Sequence, residues 1–297
     1  MTQFAIHQQT KTNRRFFEDL GNNVRLEMVL IPSGTFLMGS PENEPGRHDE
    51  EGPQHLVTVP TFFMGRYPIT QEQWRAVAAM PKEEHDLEPD PSRFKGDQRP
   101  VEQVSWVDAM EFCARLSVRT DRFYSLPSEA EWEYACRAGT TTPFHFGETI
   151  TTDVANYRGT DDKDRNRSGS YGDGPKGEYR EETTPVDYFR VANAFGLCDM
   201  HGNVSEWCLD SPHDNYEGAP IDGSAWYADE VGDGRVLRGG SWCFEPKDCR
   251  SAHHSYDFLG CYDHFNGFRV VCHVQATPES SAGASRLIFL GVEMKDD

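Results

Sequence analysis

From Arg235 to Val271 the chain reads RVLRGGSWCFEPKDCRSAHHSYDFLGCYDHFNGFRVV, regular and apolar at both ends and unpatterned between them. VLRGG and FRVV have the composition of strands, and the stretch predicts that these two pair with each other. From Asp248 to Asn266 the chain mixes aromatic, His, Asp and Cys residues with a period of neither 2 nor 3.6. A packed element repeats its apolar positions with the period of its own backbone, so this segment is not patterned for a core. It predicts an irregular surface carried by stiff supports, which is how binding sites are usually built.

Composition narrows what the rest can be. The 297 residues allow one large domain or two small ones, and 37% hydrophobic content fills a core. With 26 Gly and 18 Pro the chain is rich in turns and is no helical bundle. A formal net charge of -20 repels phosphate backbones, which argues against nucleic acid as a ligand. The same charge suits cations or simple solubility. Eight cysteines could form disulfides, but Met1 to Leu20 has no apolar core of signal-peptide length. No run approaches the roughly 18 apolar residues of a membrane span. Reduced thiols in a cytoplasmic protein are the expectation.

Residues 1–23 read as a polar leader with a short helix at Arg14–Asp19, residues 24–274 as the folded domain, and 275–297 as a tail holding one strand, RLIFLGVEM. MVLIPSGTFLMGS predicts a hairpin, and HLVTVPTFFMGRYPIT a strand pair. Thr70 with Gln73, Ser105 before Trp106, and Ser128 with Glu131 mark three helix N-termini, the last helix stopping at Gly139. Trp106, Ala109, Met110, Cys113 and Leu116 are the expected inward face of the second. No tandem repeat is visible.

MVLIPSGTFLMGS, EGPQHLVTV, ITQEQW, RPVEQVSWVDAMEFCARLS, YSLPSEAEWEYACRAG, ANAFGLCDMHGNVSEWC, RVLRGGSW and GFRVV, in this order, resemble the formylglycine-generating (sulfatase-modifying) enzyme family. The resemblance runs from about Glu27 to Cys272 and implies an α+β, C-type-lectin-like domain with little regular secondary structure. Fold alone does not settle function.

Two sites follow from the residues and the resemblance together. Asp199 and Glu206 lie seven residues apart across a Gly-Asn turn and can converge on a hard cation, backbone carbonyls completing an oxygen shell. The family's calcium site implies side-chain ligands at Asp199 and Glu206 and backbone ligands at Gly202 and Val204, hence a structural Ca2+. The alternative is an Asx turn with Glu206 in a salt bridge. A second family site would begin at Asn156 and Tyr157, but an insertion follows and hides its acidic ligand. The family's oxidases use two cysteines with four residues between them, able to hold Cu(I) or pass through a disulfide. Cys243 and Cys249 are the candidates here, but five residues separate them. A formylglycine-generating oxidase dependent on copper and oxygen is therefore the alternative function, with an ergothioneine-type enzyme behind it.

The unpatterned segment resembles another branch of the family, the variable proteins of diversity-generating retroelements. Their variable positions arise by adenine-specific mutation of Asn codons, which excludes Lys, Glu, Gln, Met and Trp. None of the five occurs from Asp248 to Asn266. The implied ligand-binding positions are Cys243, Phe244, Asp248, His253, His254, Ser255, Tyr256, Asp257, Phe258, Leu259, Cys261, Tyr262, Asp263, His264 and Phe265. Around them Gly239 to Trp242, Arg250 to Ala252 and Gly267 to Arg269 match the family framework. Tyr and Phe give contact area at low entropy cost, and Ser, Asp and His give adaptable hydrogen bonds. A transition-metal cluster of His253, His254, Asp257, Cys261 and His264 is the rival reading, and burial of Phe258 or Leu259 under a loop the bland one. The function expected is non-enzymatic binding of a variable ligand, with protein as its class, by a surface spanning about 243–266. Nothing in the sequence sets the number of subunits.

Overall fold

The computed structural model describes residues 13–228 and 234–273. The expected tail strand, and residues 1–12 of the leader, lie outside these. The elements in chain order are β1 (Arg15–Gly21), β2 (Val24–Ile31), β3 (Gly34–Met38), β4 (His55–Val59), β5 (Phe62–Gly65), α1 (Gln71–Ala78), α2 (Trp106–Thr120), β6 (Tyr124–Ser125), α3 (Glu129–Arg137), β7 (Ser205–Trp207), β8 (Gly234–Arg238), β9 (His254–Phe258), β10 (Asn266–Gly267) and β11 (Val271–His273). Long loops fill the gaps, as the turn-rich composition predicts.

Arg14–Asp19 is not helical. β1 pairs with β2 around a two-residue turn at Asn22 and Asn23, both at positive φ. A turn with both central residues left-handed matches the twist of a hairpin, and asparagine tolerates it. Phe16, Glu18 and Leu20 point inward and Phe17 and Asp19 outward, the period of a strand. Residues 15–21 of the presumed leader are thus an edge strand of the domain.

The two expected strand pairs in residues 27–65 also resolve differently. β2 pairs with β5, and β3 with β4, all antiparallel. The whole is one long ribbon that turns at the charged loop 39–54. It breaks at Pro32 and Pro60, which have no N–H to give the ladder. Beyond the break the ribbon leaves the main sheet.

That sheet has the order β1-β2-β5-β11-β6. One core, with Phe63, Trp74, Phe112, Leu116, Phe268 and Val270, packs it against α1 and α2. Another, with Ile31, Phe62, Met64, Trp132 and Ala135, packs its far side against α3. All three helices begin at the expected caps, with Thr70, Ser105 and Ser128 each in a reciprocal capping box. Ala109, Cys113 and Leu116 are buried as expected, whereas Trp106 and Met110 are half-buried and Phe112 takes their place. α3 ends on Ala138, itself left-handed, one residue before Gly139.

A second sheet has the order β10-β7-β8-β9. VLRGG and FRVV therefore do not pair with each other: β8 belongs to this sheet and β11 to the five-stranded one. β9 also corrects the reading of residues 248–266 as wholly irregular, since His254–Phe258 forms five antiparallel pairs with β8. No described helix is long and apolar enough to cross a membrane.

Candidate functional site

The segment after β8 starts with a tight crossing. Gly239 and Gly240 have φ of +88° and +67°. A Cβ on Gly240 would meet Asp248 O at 2.6 Å and Cys249 Sγ at 2.7 Å, so only glycine fits there. Trp242 follows, its indole N–H donating to His264 O at 3.1 Å and its ring edge-on to Phe94. This closes the segment's two ends onto each other.

Three fully buried arginines anchor the segment from below. Arg250 donates to Glu51 from both terminal nitrogens, at 2.8 and 2.6 Å, and to Glu44 at 2.6 Å. Its other N–H groups reach Gly46 O and Lys247 O. Arg269 forms a bidentate pair with Glu206, at 2.5 and 2.7 Å, and donates to Gly65 O and Cys198 O. Arg238 binds Glu133, and donates to Ser251 O and His253 O at 3.0 and 2.7 Å. Guanidinium forks that bind carboxylates in this way fix orientation as well as distance. Burial alone would raise the Glu51 carboxyl, but Arg250 and then His253 hold it well below its usual range.

Resting on this frame, the segment divides cleanly by exposure. Gly239 to Trp242, Cys249 to Ala252 and Asn266 to Val271 are buried without exception. Every one of the fifteen expected binding residues is half-buried or exposed. Tyr256, Phe258 and Tyr262 stand out most, at 63%, 63% and 59% exposure. Large apolar rings that open to solvent in a folded chain have no role in its core.

Several of the fifteen are nevertheless tied down. His254 Nδ1 lies 2.8 Å from Glu129 Oε1 and 3.0 Å from Tyr216 Oη. His253 faces Glu51 at 3.7 Å, its ring tilted against that of His48. Asp257 accepts from Asn266 Nδ2 at 3.2 Å and from the Phe258 N–H at 2.8 Å. Phe244 packs on Phe265, and His264 on Trp242 and Phe94. Of the five residues of the rival metal reading, Cys261 meets Asp257, whereas His253, His254 and His264 turn to Glu51, Glu129 and Trp242. Among the described residues no three His, Cys, Asp or Glu side chains converge on one point.

All eight cysteines are free thiols. Burial pushes the Cys249 thiol well up and the Cys243 thiol up as well, the latter against Ser241 and two arginines. Cys249 Sγ donates to Glu245 O at 3.6 Å, and Cys243 Sγ lies 3.3 Å from Ser241 Oγ. Cu(I) takes thiolates, the form that burial disfavours at both positions.

The cation site fits better at one end than at the other. The Asp199 carboxyl is pushed up to about 6, chiefly by burial, with Glu206 and Asp187 adding repulsion. Among the described residues its one hydrogen-bond partner is the Asp187 N–H at 3.4 Å. A desolvated carboxylate with so little support suits a hard cation. Glu206 has both oxygens on Arg269 and one on the Trp132 indole at 2.7 Å, so a cation would share it. At the second expected site, Asn156 Oδ1 is buried without a partner.

Arg250 and Arg269 were legible as framework, but their carboxylate partners were not, and Arg238 was passed over. Glu44, Glu51 and Glu133 lie about 100 to 200 residues away in the chain, beyond the reach of any local pattern.

Comparison with known proteins agrees with this architecture. The Sulfatase-modifying factor enzyme 1-like domain matches residues 15–274. A serine/threonine-protein kinase, Pkn1 of Chlamydia trachomatis, is 31% identical over 82% of this chain. This chain spans only 38% of that relative's length. PvdO from Pseudomonas aeruginosa superposes with a TM-score of 0.73 at 32% identity, over 89% of this chain and 100% of that one. Treponema denticola variable protein 1 superposes with a TM-score of 0.69 at 23% identity, over 87% and 99%.

Proposed function

With the chain belonging to the sulfatase-modifying factor enzyme 1-like family, we propose that it is a non-enzymatic binding protein whose segment 243–266 is a diversified surface, a variable protein of a diversity-generating retroelement. The observation that carries this reading is the partition by exposure. Fifteen positions singled out because a biased mutation process could produce their residues are all half-buried or exposed, and the framework stretches 239–242, 249–252 and 266–271 are all buried. A scaffold can accept many side chains only where none of them holds the fold together. The likeness to a protein described as variable adds to it. The ligand is then a protein surface met by Tyr256, Phe258 and Tyr262, since exposed aromatics are the residues that carry interface energy.

Two supports complete the proposal. A Ca2+ held by Asp199, Gly202, Val204 and a shared Glu206 would neutralise the desolvated carboxylate beneath the frame. The three buried arginines hold the segment whatever its exposed residues are.

The test is genetic. Many copies of the gene, sequenced from a growing population with its neighbouring DNA, should differ at the codons of the fifteen positions and not at 239–242 or 267–270. A near-repeat carrying Asn codons should lie close by. Substitutions spread evenly along the gene, or none, would overturn the reading.

A further inference from the structure

β9 is the outer strand of its sheet, and the parity of its ladder leaves an open row of backbone groups. The Val236 N–H donates to Asp210 O at 3.0 Å, and its C=O accepts from the Cys208 N–H at 2.9 Å. In an antiparallel ladder both groups of one residue point the same way, so Val236 turns away from β9. Its partner Tyr256 is then a non-hydrogen-bonded position on the β8 side, and by the period of 2 so is His254. The N–H and C=O of both face outward, and among the described residues they have no partner. Phe258 ends the row, its N–H on Asp257 and its C=O on the Cys261 N–H. An outer strand with free backbone groups and exposed aromatics is a template for another strand, which proteins ordinarily cover or charge.

A second feature says what chemistry would lie there. His254 is joined through the Tyr216 hydroxyl to the turn 214–217, and the Tyr216 N–H donates to Gly52 O. This places the end of β9 beside a groove that contains Glu42, Asp49, Asp214 and Glu217. Its one cation, Arg47, is already paired with Asp49. The fifteen face residues add three aspartates and no Lys or Arg. The Tyr256 ring lies over Gly234 beside Pro212.

We infer that the partner docks by strand addition: an extended, cationic segment of another protein hydrogen-bonds along β9 at His254 and Tyr256, and its positive side chains enter the acidic groove. Main-chain bonds would supply affinity that does not depend on the side chains displayed, while Tyr256, Phe258 and their neighbours select the sequence. This inference rests on the binding-face reading and names its partner class.

The probe is a fluorescein-labelled Lys-Thr decapeptide of alternating sequence, added to the full chain and followed by anisotropy. It should bind, and N-methylation of its four central residues, which removes donors on both strand edges, should weaken it at least tenfold. Tyr256→Pro should do the same to the unmethylated peptide, because it deletes an outward N–H and no ladder bond. The Glu-Thr counterpart should not bind. Should Tyr256→Pro lower the melting temperature, the methylated peptide with the unaltered protein decides alone. Equal binding of the methylated peptide, failure of the Lys-Thr peptide to bind, or binding of the Glu-Thr peptide would each overturn strand addition. A dimer in sedimentation that Tyr256→Pro dissolves would assign the edge to a second copy and overturn it too. None of these outcomes touches the codon pattern that tests the binding face itself.

Discussion

The sheet core and the floor beneath segment 243–266 are equally buried, yet they are held by opposite means. Around Phe63, Trp74, Phe112 and Phe268 the contacts are apolar and non-directional, and stability scales with the area removed from water. Beneath residues 239–270 the deepest side chains are Arg238, Arg250 and Arg269, each fixed to carboxylates brought from elsewhere in the chain. The first kind of interior tolerates repacking but asks its side chains to fill space. The second sets backbone positions through directed bonds, with His253 and His254 the face residues that add to them. A segment that changes its surface, as proposed, needs the second kind.

The largest effects should come from breaking that floor. Arg250→Met leaves Glu44 and Glu51 buried without their cation, and should cost about 3–5 kcal/mol in denaturant titration. Phe268→Ala in the apolar core should cost a similar ~3–5 kcal/mol. The two regions separate when partners are removed together. Arg250→Met with Glu44→Leu and Glu51→Met should recover most of the loss, since a buried ion group can be exchanged for apolar residues of like volume. No recovery would show that the arginine acts through something other than its charge pairs.

An effect of intermediate size concerns pH and calcium. Glu51 has a depressed carboxyl, so its contribution is present above its ordinary value of 4.5 and is lost as pH falls below it. Asp199 has the opposite sign. Raised from 3.8 to about 6, it favours the fold at low pH, and that contribution disappears as pH rises through 6. In chelator the melting temperature should therefore drop on that side, and Ca2+ should restore it at pH 7 by mass action. Asp199→Ala should remove the calcium response. Identical melts with calcium and with chelator would end the calcium proposal.

Smaller still is the expected cost at the surface. Replacing Tyr256, Phe258, Tyr262 and Phe265 together by Ser should change stability by no more than about 0.5 kcal/mol per position. Phe265, packed on Phe244, should contribute most of it. A quadruple variant that does not fold would make the segment part of the core and erase the contrast between the regions. No effect at all is expected from copper and oxygen with a cysteine-containing sulfatase peptide. Formylglycine that appears, and disappears in Cys243→Ser, would favour the oxidase alternative.

What could be read from the chain alone was whatever its neighbours in sequence decide. Thr70, Ser105 and Ser128 capped their helices because a cap and its third residue lie within one turn. The fifteen proposed binding positions were picked out by residue type alone, and the structure leaves all of them half-buried or exposed. The Asn22-Asn23 turn was also a local signal, and it was overlooked. Pairing was another matter. Strand composition cannot say whether VLRGG meets FRVV or SEW, or that Pro32 and Pro60 break a single ribbon, because those bonds form between backbones that differ in no side chain. The arginine floor was hidden for the same reason. A buried charge is stable only opposite its counter-charge, and which of 49 acidic residues that would be was decided by the folded chain.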